Sequence, residues 1–308
     1  MIGRSGTLVV AAWTGTLLLS KLPLVIARDL LGGDIPWIAA GWIGAAILLL
    51  GSTYAWPALR ALRSYFALMG LILLLGNVLD PLIRQTTLWT GLVAGRSEMT
   101  LVFVDRVMLV LQTLIVLGAV LLMGTSRRDA FLRAGDLTAP FGGRAASEKG
   151  QQSETGLQPG TTASRRLTWA LLGPGLALVL GGLFFAFLSG QKPSALSDVA
   201  AVIPWLPLIL LSAMLNAFGE EGMFRAAPLS ALLPAVGPRH AMWLTAIWFG
   251  LGHYYGGIPS GLFGFVQTGL LGLLLGKAML DTRGMGWPWI IHVVLDTIIY
   301  FFVAATVG

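Results

Sequence analysis

The sequence predicts an all-α fold, a polytopic transmembrane helix bundle of about 8–9 spans. Three observations predict it. Of the 308 residues, 56% are hydrophobic and only 11% are charged, against roughly 25% charged in a soluble domain. Mean hydropathy is +0.80. Apolar runs of about 20 residues, enough to cross a hydrocarbon core as a helix, recur along the chain. A surface so poor in charge has lipid as its main solvent, so the lipid bilayer is an expected partner.

Taken in order, the apolar runs give nine candidate spans, at roughly 6–26, 36–56, 64–83, 104–124, 167–189, 200–221, 240–256, 261–280 and 287–307. The first opens like a signal peptide, with Arg4 before an apolar run. Lys21-Leu22-Pro23 lacks a small-residue cleavage pattern, so an uncleaved first span is expected. Trp37, Trp42, Trp56, Trp89, Trp205, Trp287 and Trp289 fall near span ends, where amphipathic aromatic anchors belong. Residues 125–166, rich in Gly, Ser, Thr, Gln and Arg, read as a disordered cytoplasmic linker. It would divide a four-span region, 1–124, from a five-span region, 167–308. No internal repeat stands out, which weighs against an inverted-repeat transporter.

Charge and cysteine usage exclude several classes. With no cysteine there is no disulfide, thiol nucleophile or thiolate metal site. The net charge of +6 comes without aromatic-basic interleaving, so nucleic acid is not an expected partner. With the N-terminus cytoplasmic, fourteen of the twenty basic residues fall on the inner side and six, including Arg84, Arg96 and Arg106, on the outer side. That bias predicts nine spans with N inside and C outside. Such a chain, with no organelle signal, is expected in a bacterial inner membrane.

Ionisable groups inside spans are costly and mark candidate chemistry. Glu220, Glu221 and Arg225 interrupt one apolar stretch; His253, His292 and Asp296 lie in later spans. Glu221 and Arg225, Phe249 and His253, and His292 and Asp296 are each four residues apart, so each pair shares a helix face. One arginine cannot fully satisfy two carboxylates. Glu221 is the expected partner of Arg225, and Glu220 is left over. If the helix continues past Arg225, Glu220 falls near mid-membrane. His240, after Pro238-Arg239, reads as interfacial, and Asp80-Pro81 reads as a helix end.

Glu-Glu-x-x-x-Arg at Glu220, Glu221 and Arg225, Phe-x-x-x-His at Phe249 and His253, and His-x-x-x-Asp at His292 and Asp296 occur in order on successive apolar segments. Together they resemble the CPBP (CAAX protease and bacteriocin-processing, or Abi) family of intramembrane proteases, which includes the Ras-converting CAAX endopeptidases. The resemblance covers roughly residues 165–305. It implies a helical bundle whose site hydrolyses peptide bonds within the membrane. It further implies Glu220 as general base, His253 as a partner in activating water, and His292 with the residue at 296 as oxyanion stabilisers. Amide hydrolysis needs both functions.

The chain departs from that pattern at two positions. Asp296 stands where many members carry Asn, and an ionised carboxylate cannot donate to an oxyanion. Asp296 is therefore protonated, or orients His292, or has lost the role. Ala226 stands where Gly is common. A metal alternative is also open: Glu220, His253, His292 and Asp296 offer an N/O set for a divalent ion such as zinc. The expected substrate is a peptide or membrane-protein tail. Two other functions use the same features: a non-enzymatic immunity or scaffold protein of this fold, and a proton-coupled transporter.

Overall fold

The computed structural model describes residues 4–142, 167–196 and 199–307. Its regular structure is helical, with no strand among the described residues beyond one isolated bridge, Pro140 to Thr168. Seven helical runs are long and apolar enough to cross a membrane, and a bent pair at the N-terminus makes eight. This is a polytopic all-α bundle, as expected.

The helices are α1 (Arg4–Leu18), α2 (Leu22–Val25), α3 (Ile38–Ala55), α4 (Arg63–Leu74), α5 (Asp80–Arg84), α6 (Thr87–Val93), α7 (Glu98–Leu122), α8 (Trp169–Gln191), α9 (Leu206–Glu220), α10 (Ala227–Gly252), α11 (Gly261–Thr282) and α12 (Gly286–Val307). A π-turn, Glu221–Ala226, joins α9 to α10 without a break. The helix therefore does continue past Arg225.

The longest apolar run, Val199–Gly252, has 54 residues. As one straight helix it would extend about 81 Å, far beyond a core of about 30 Å. It instead folds back at Gly237, where φ is +76°. Only glycine takes that conformation without steric cost, and Pro238 beside it cannot supply a helical N–H. The rings of Phe224 and Trp248 consequently meet at 5.2 Å, although an unbroken helix would hold them about 36 Å apart. Two crossings result, and their hairpin supplies both the Glu pair and His253.

α9 packs against α7 and α12, and α10 packs against α11. Glycines set the closest approaches. A Cβ at Gly219 would lie 2.6 Å from Leu109 Cγ, and one at Gly222 would lie 2.5 Å from Thr113 Cγ2. Thr113 Oγ1, on α7, donates to Gly219 O at 3.0 Å. Small residues let the helix backbones come together where lipid supplies no hydrophobic drive.

Several expectations are corrected. The first part of the expected linker is folded: Phe131 and Ala139 are buried, Met285 N donates to Arg133 O, and Trp287 Nε1 donates to Leu137 O. Backbone pairing with the α11–α12 turn and a few buried apolar side chains hold this polar segment. Residues 143–166 lie outside the described residues. Trp37 and Trp56 are exposed as anchors should be, but Trp42, Trp89 and Trp287 are buried in the bundle. The helix does not end at Asp80-Pro81; it runs to Arg84, which pairs with Asp80 at 2.7 Å and Asp105 at 2.8 Å. Proline is accommodated because the helix widens into a π-turn, Leu75–Leu79, immediately before it. His240 accepts from Trp13 Nε1 at 3.2 Å.

Candidate active site

Consecutive helical residues point about 100° apart, so Glu220 and Glu221 leave their helix in different directions. Glu221 is buried and ion-paired with Arg225, one turn on. The Arg225 guanidinium also lies over the Phe249 ring, 5.1 Å from its centroid. Glu221 Oε1 has a second partner, His292 Nδ1, at 2.9 Å. A carboxylate held by arginine only accepts, so that bond puts the proton on Nδ1. Nε2 of His292 is thereby the nitrogen left for the cavity.

Glu220 lines a cavity of about 510 Å³ together with His253, His292 and Asp296. The polar atom of His292 nearest to it, Nε2, is 3.5 Å from Glu220 Oε2 and 3.6 Å from Asp296 Oδ2. Both separations exceed an ordinary hydrogen bond. His253, at the C-cap of α10, has its Nδ1 3.0 Å from Phe249 O. The Phe249 ring contacts the His253 ring edge-on, with centroids 4.5 Å apart, and fixes its tilt. All four expected catalytic residues thus border one cavity, Phe249 forms part of its wall, and Glu221 and Arg225 lie behind it.

Three further residues join them. Asn216 Oδ1 accepts from Arg106 at 2.9 Å, and Asn216 Nδ2 donates to Asp296 Oδ2 at 2.9 Å. Arginine only donates and a carboxylate accepts, so the amide orientation is determined. Arg106 also lies 5.9 Å from the Tyr300 ring centroid, and Arg106, Asn216 and Tyr300 all line the cavity. A sequence signal existed: Asn216 precedes Glu220 by four residues, on the same helical face. The fourth expected span starts at residue 104, which puts Arg106 at its outer edge and so among the outer-side basic residues. The helix begins at Glu98, and Arg106 is on its third turn. The N-terminal spans thus bring a cation to the site.

Of the three expected states of Asp296, the geometry supplies an acceptor: its Oδ2 takes the Asn216 amide. As for the metal alternative, among the described residues no three His, Asp or Glu side chains are arranged to hold one ion. With His292 Nδ1 on Glu221 and His253 Nδ1 facing a carbonyl, each ring keeps its Nε2 for the cavity.

Fold and site define a class, a polytopic membrane protein with a carboxylate–histidine cavity walled by its spanning helices. Residues 201–298 match the family model described as type II CAAX prenyl endopeptidase Rce1-like. The match spans all the expected site residues and supports a CAAX-type membrane endopeptidase in general. No curated protein and no solved structure matches the chain.

Proposed function

We propose that this protein hydrolyses a peptide bond, in a peptide or membrane-protein substrate, with water activated by Glu220 and His253. One observation carries the reading. Of the two adjacent carboxylates, Glu221 is committed to Arg225 and His292, whereas Glu220 faces the cavity without a close partner.

In the proposed reaction Glu220 removes a proton from water, and His253 accepts a hydrogen bond from the same water through Nε2. The hydroxide adds to the substrate carbonyl carbon. Negative charge develops on the carbonyl oxygen, where His292, protonated on both ring nitrogens in this step, donates through Nε2 beside the second N–H of Asn216. Glu220 then passes its proton to the amide nitrogen, the C–N bond breaks, and the new carboxyl group gives its proton to the departing amine, so that a carboxylate and an ammonium leave. Glu221 and Arg225 do not touch substrate; they hold the His292 ring with Nε2 toward the cavity.

The test is cleavage by the purified full chain in detergent or liposomes. Glu220→Gln keeps shape and removes the base, so the rate is expected to fall about a hundred- to ten-thousand-fold with folding intact. Cleavage at the parental rate by well-folded Glu220→Gln and His253→Ala would exclude the mechanism. Substrate retention without cleavage by the parent chain would favour a scaffold role.

A further inference from the structure

The cavity is open at one end of the bundle, and the larger group of loop arginines is at the other. At the floor, His292 and Asp296 are buried. The lining then runs to Glu98, at the first turn of α7, and to Gly256, Gly257 and Ile258 in the α10–α11 loop, all exposed. The same end is tied together by Tyr255, whose hydroxyl donates to Asp29 Oδ1 at 3.2 Å.

The opposite end holds the turn at Gly237, the α11–α12 turn and residues 126–142, which bond to one another through Met285 N and Arg133 O at 2.8 Å. Seven arginines stand in the described turns and adjoining helix ends there: Arg60, Arg63, Arg127, Arg128, Arg133, Arg239, next to the Gly237 reversal, and Arg283. The sequence 143–166 starts and finishes beside this end, where Phe141 N donates to Leu167 O, and it contains four more basic residues. The mouth end has five, Lys21, Arg28, Arg84, Arg96 and Lys192. Arg28 is paired with Asp34, and Arg84 with Asp80 and Asp105. Lysine and arginine in short loops are retained on the cytoplasmic side.

We infer that the cavity opens to the extracytoplasmic face, so that the substrate is a peptide or membrane-protein segment presented from outside the cytoplasm. The part concerning substrate rests on the proposed hydrolytic function; the direction of the opening does not. The apolar wall formed by Phe184, Leu271, Leu295 and Ile299 suits an apolar stretch of such a segment.

The chain has no cysteine, so single cysteines report topology directly in the full-length protein. Gly256→Cys places a thiol at the mouth, where a Cβ meets nothing nearer than Gly252 O at 4.0 Å. Ala134→Cys places one at an exposed position on the basic end. In intact cells a membrane-impermeant maleimide is expected to modify Gly256→Cys to the same extent as after permeabilisation, and Ala134→Cys only after permeabilisation. Modification of Ala134→Cys in intact cells, or of Gly256→Cys only after permeabilisation, overturns the inference. Because the readout needs no proteolysis, it stands or falls separately from the Glu220→Gln test.

Discussion

Asn216, on the helix of the Glu pair, donates its amide N–H to Asp296, one turn beyond His292 on α12, at 2.9 Å. On its other side the same amide accepts from Arg106 of α7. A carboxylate at 296 would be an uncompensated charge beside Glu220, and the Arg106–Asn216 bridge brings a cation toward it. An acid at this position is therefore coupled to a residue more than a hundred positions upstream.

That coupling is measurable by a double-mutant cycle. Arg106→Ala removes the cation while Asp296 keeps its charge, and is expected to lower both cleavage rate and thermal stability. Asp296→Asn on the Arg106→Ala background is expected to recover part of both, with a coupling of about 0.5–3 kcal/mol. Strictly additive effects would show that the bridge carries no electrostatic work.

The Glu221–Arg225 pair is predicted to matter for stability as well as activity. Arg225→Ala leaves Glu221 buried without its cation, a change that typically costs about 3–5 kcal/mol. The expected result is a large fall in melting temperature in detergent. Glu220→Gln, at the cavity surface, is expected to leave melting nearly unchanged. Equal melting shifts for the two variants would contradict the division of labour between the adjacent carboxylates.

Helix approach at Gly219 sets where Arg106 lies. Gly219→Ala drives a methyl into Leu109, and overpacking of this kind costs about 1–3 kcal/mol. The variant is expected to melt lower and to cleave more slowly. Leu109→Ala on the same background is expected to relieve the clash, and a rate that fails to recover would detach α7 from the site.

Chelation addresses the ligand geometry. Since the site residues form no metal-holding set among the described residues, cleavage by the purified chain is expected to persist in excess EDTA, with no gain from added zinc. Loss of activity on chelation and its return with a divalent ion would require these side chains to rearrange around the ion.

Much of the bundle was legible in the sequence because hydrocarbon thickness imposes a length on every apolar run. The Glu221–Arg225 pair was legible as well: four-residue spacing puts side chains on one face, and no other cation is near in sequence. Residues 126–142 were misread since their anchorage is mostly backbone pairing to the distant α11–α12 turn, which side-chain composition does not encode. Arg106 was misplaced because hydropathy locates a helix end only to within a few residues.

The sequence alone determined that lipid is the main solvent, that the chain crosses it repeatedly, and that Glu220, His253, His292 and Asp296 are among the ionisable groups in its last spans. These follow from composition and from periodicity along single helices. Tertiary structure alone decided which groups meet. The reversal at Gly237 and the close approach at Gly219 and Gly222 bring α7, the Glu helix and α12 around one cavity. Contacts between helices distant in sequence arise from packing, so the Arg106–Asn216–Asp296 bridge, the turning of His292 by Glu221 and the end at which the cavity opens appear only in the folded molecule.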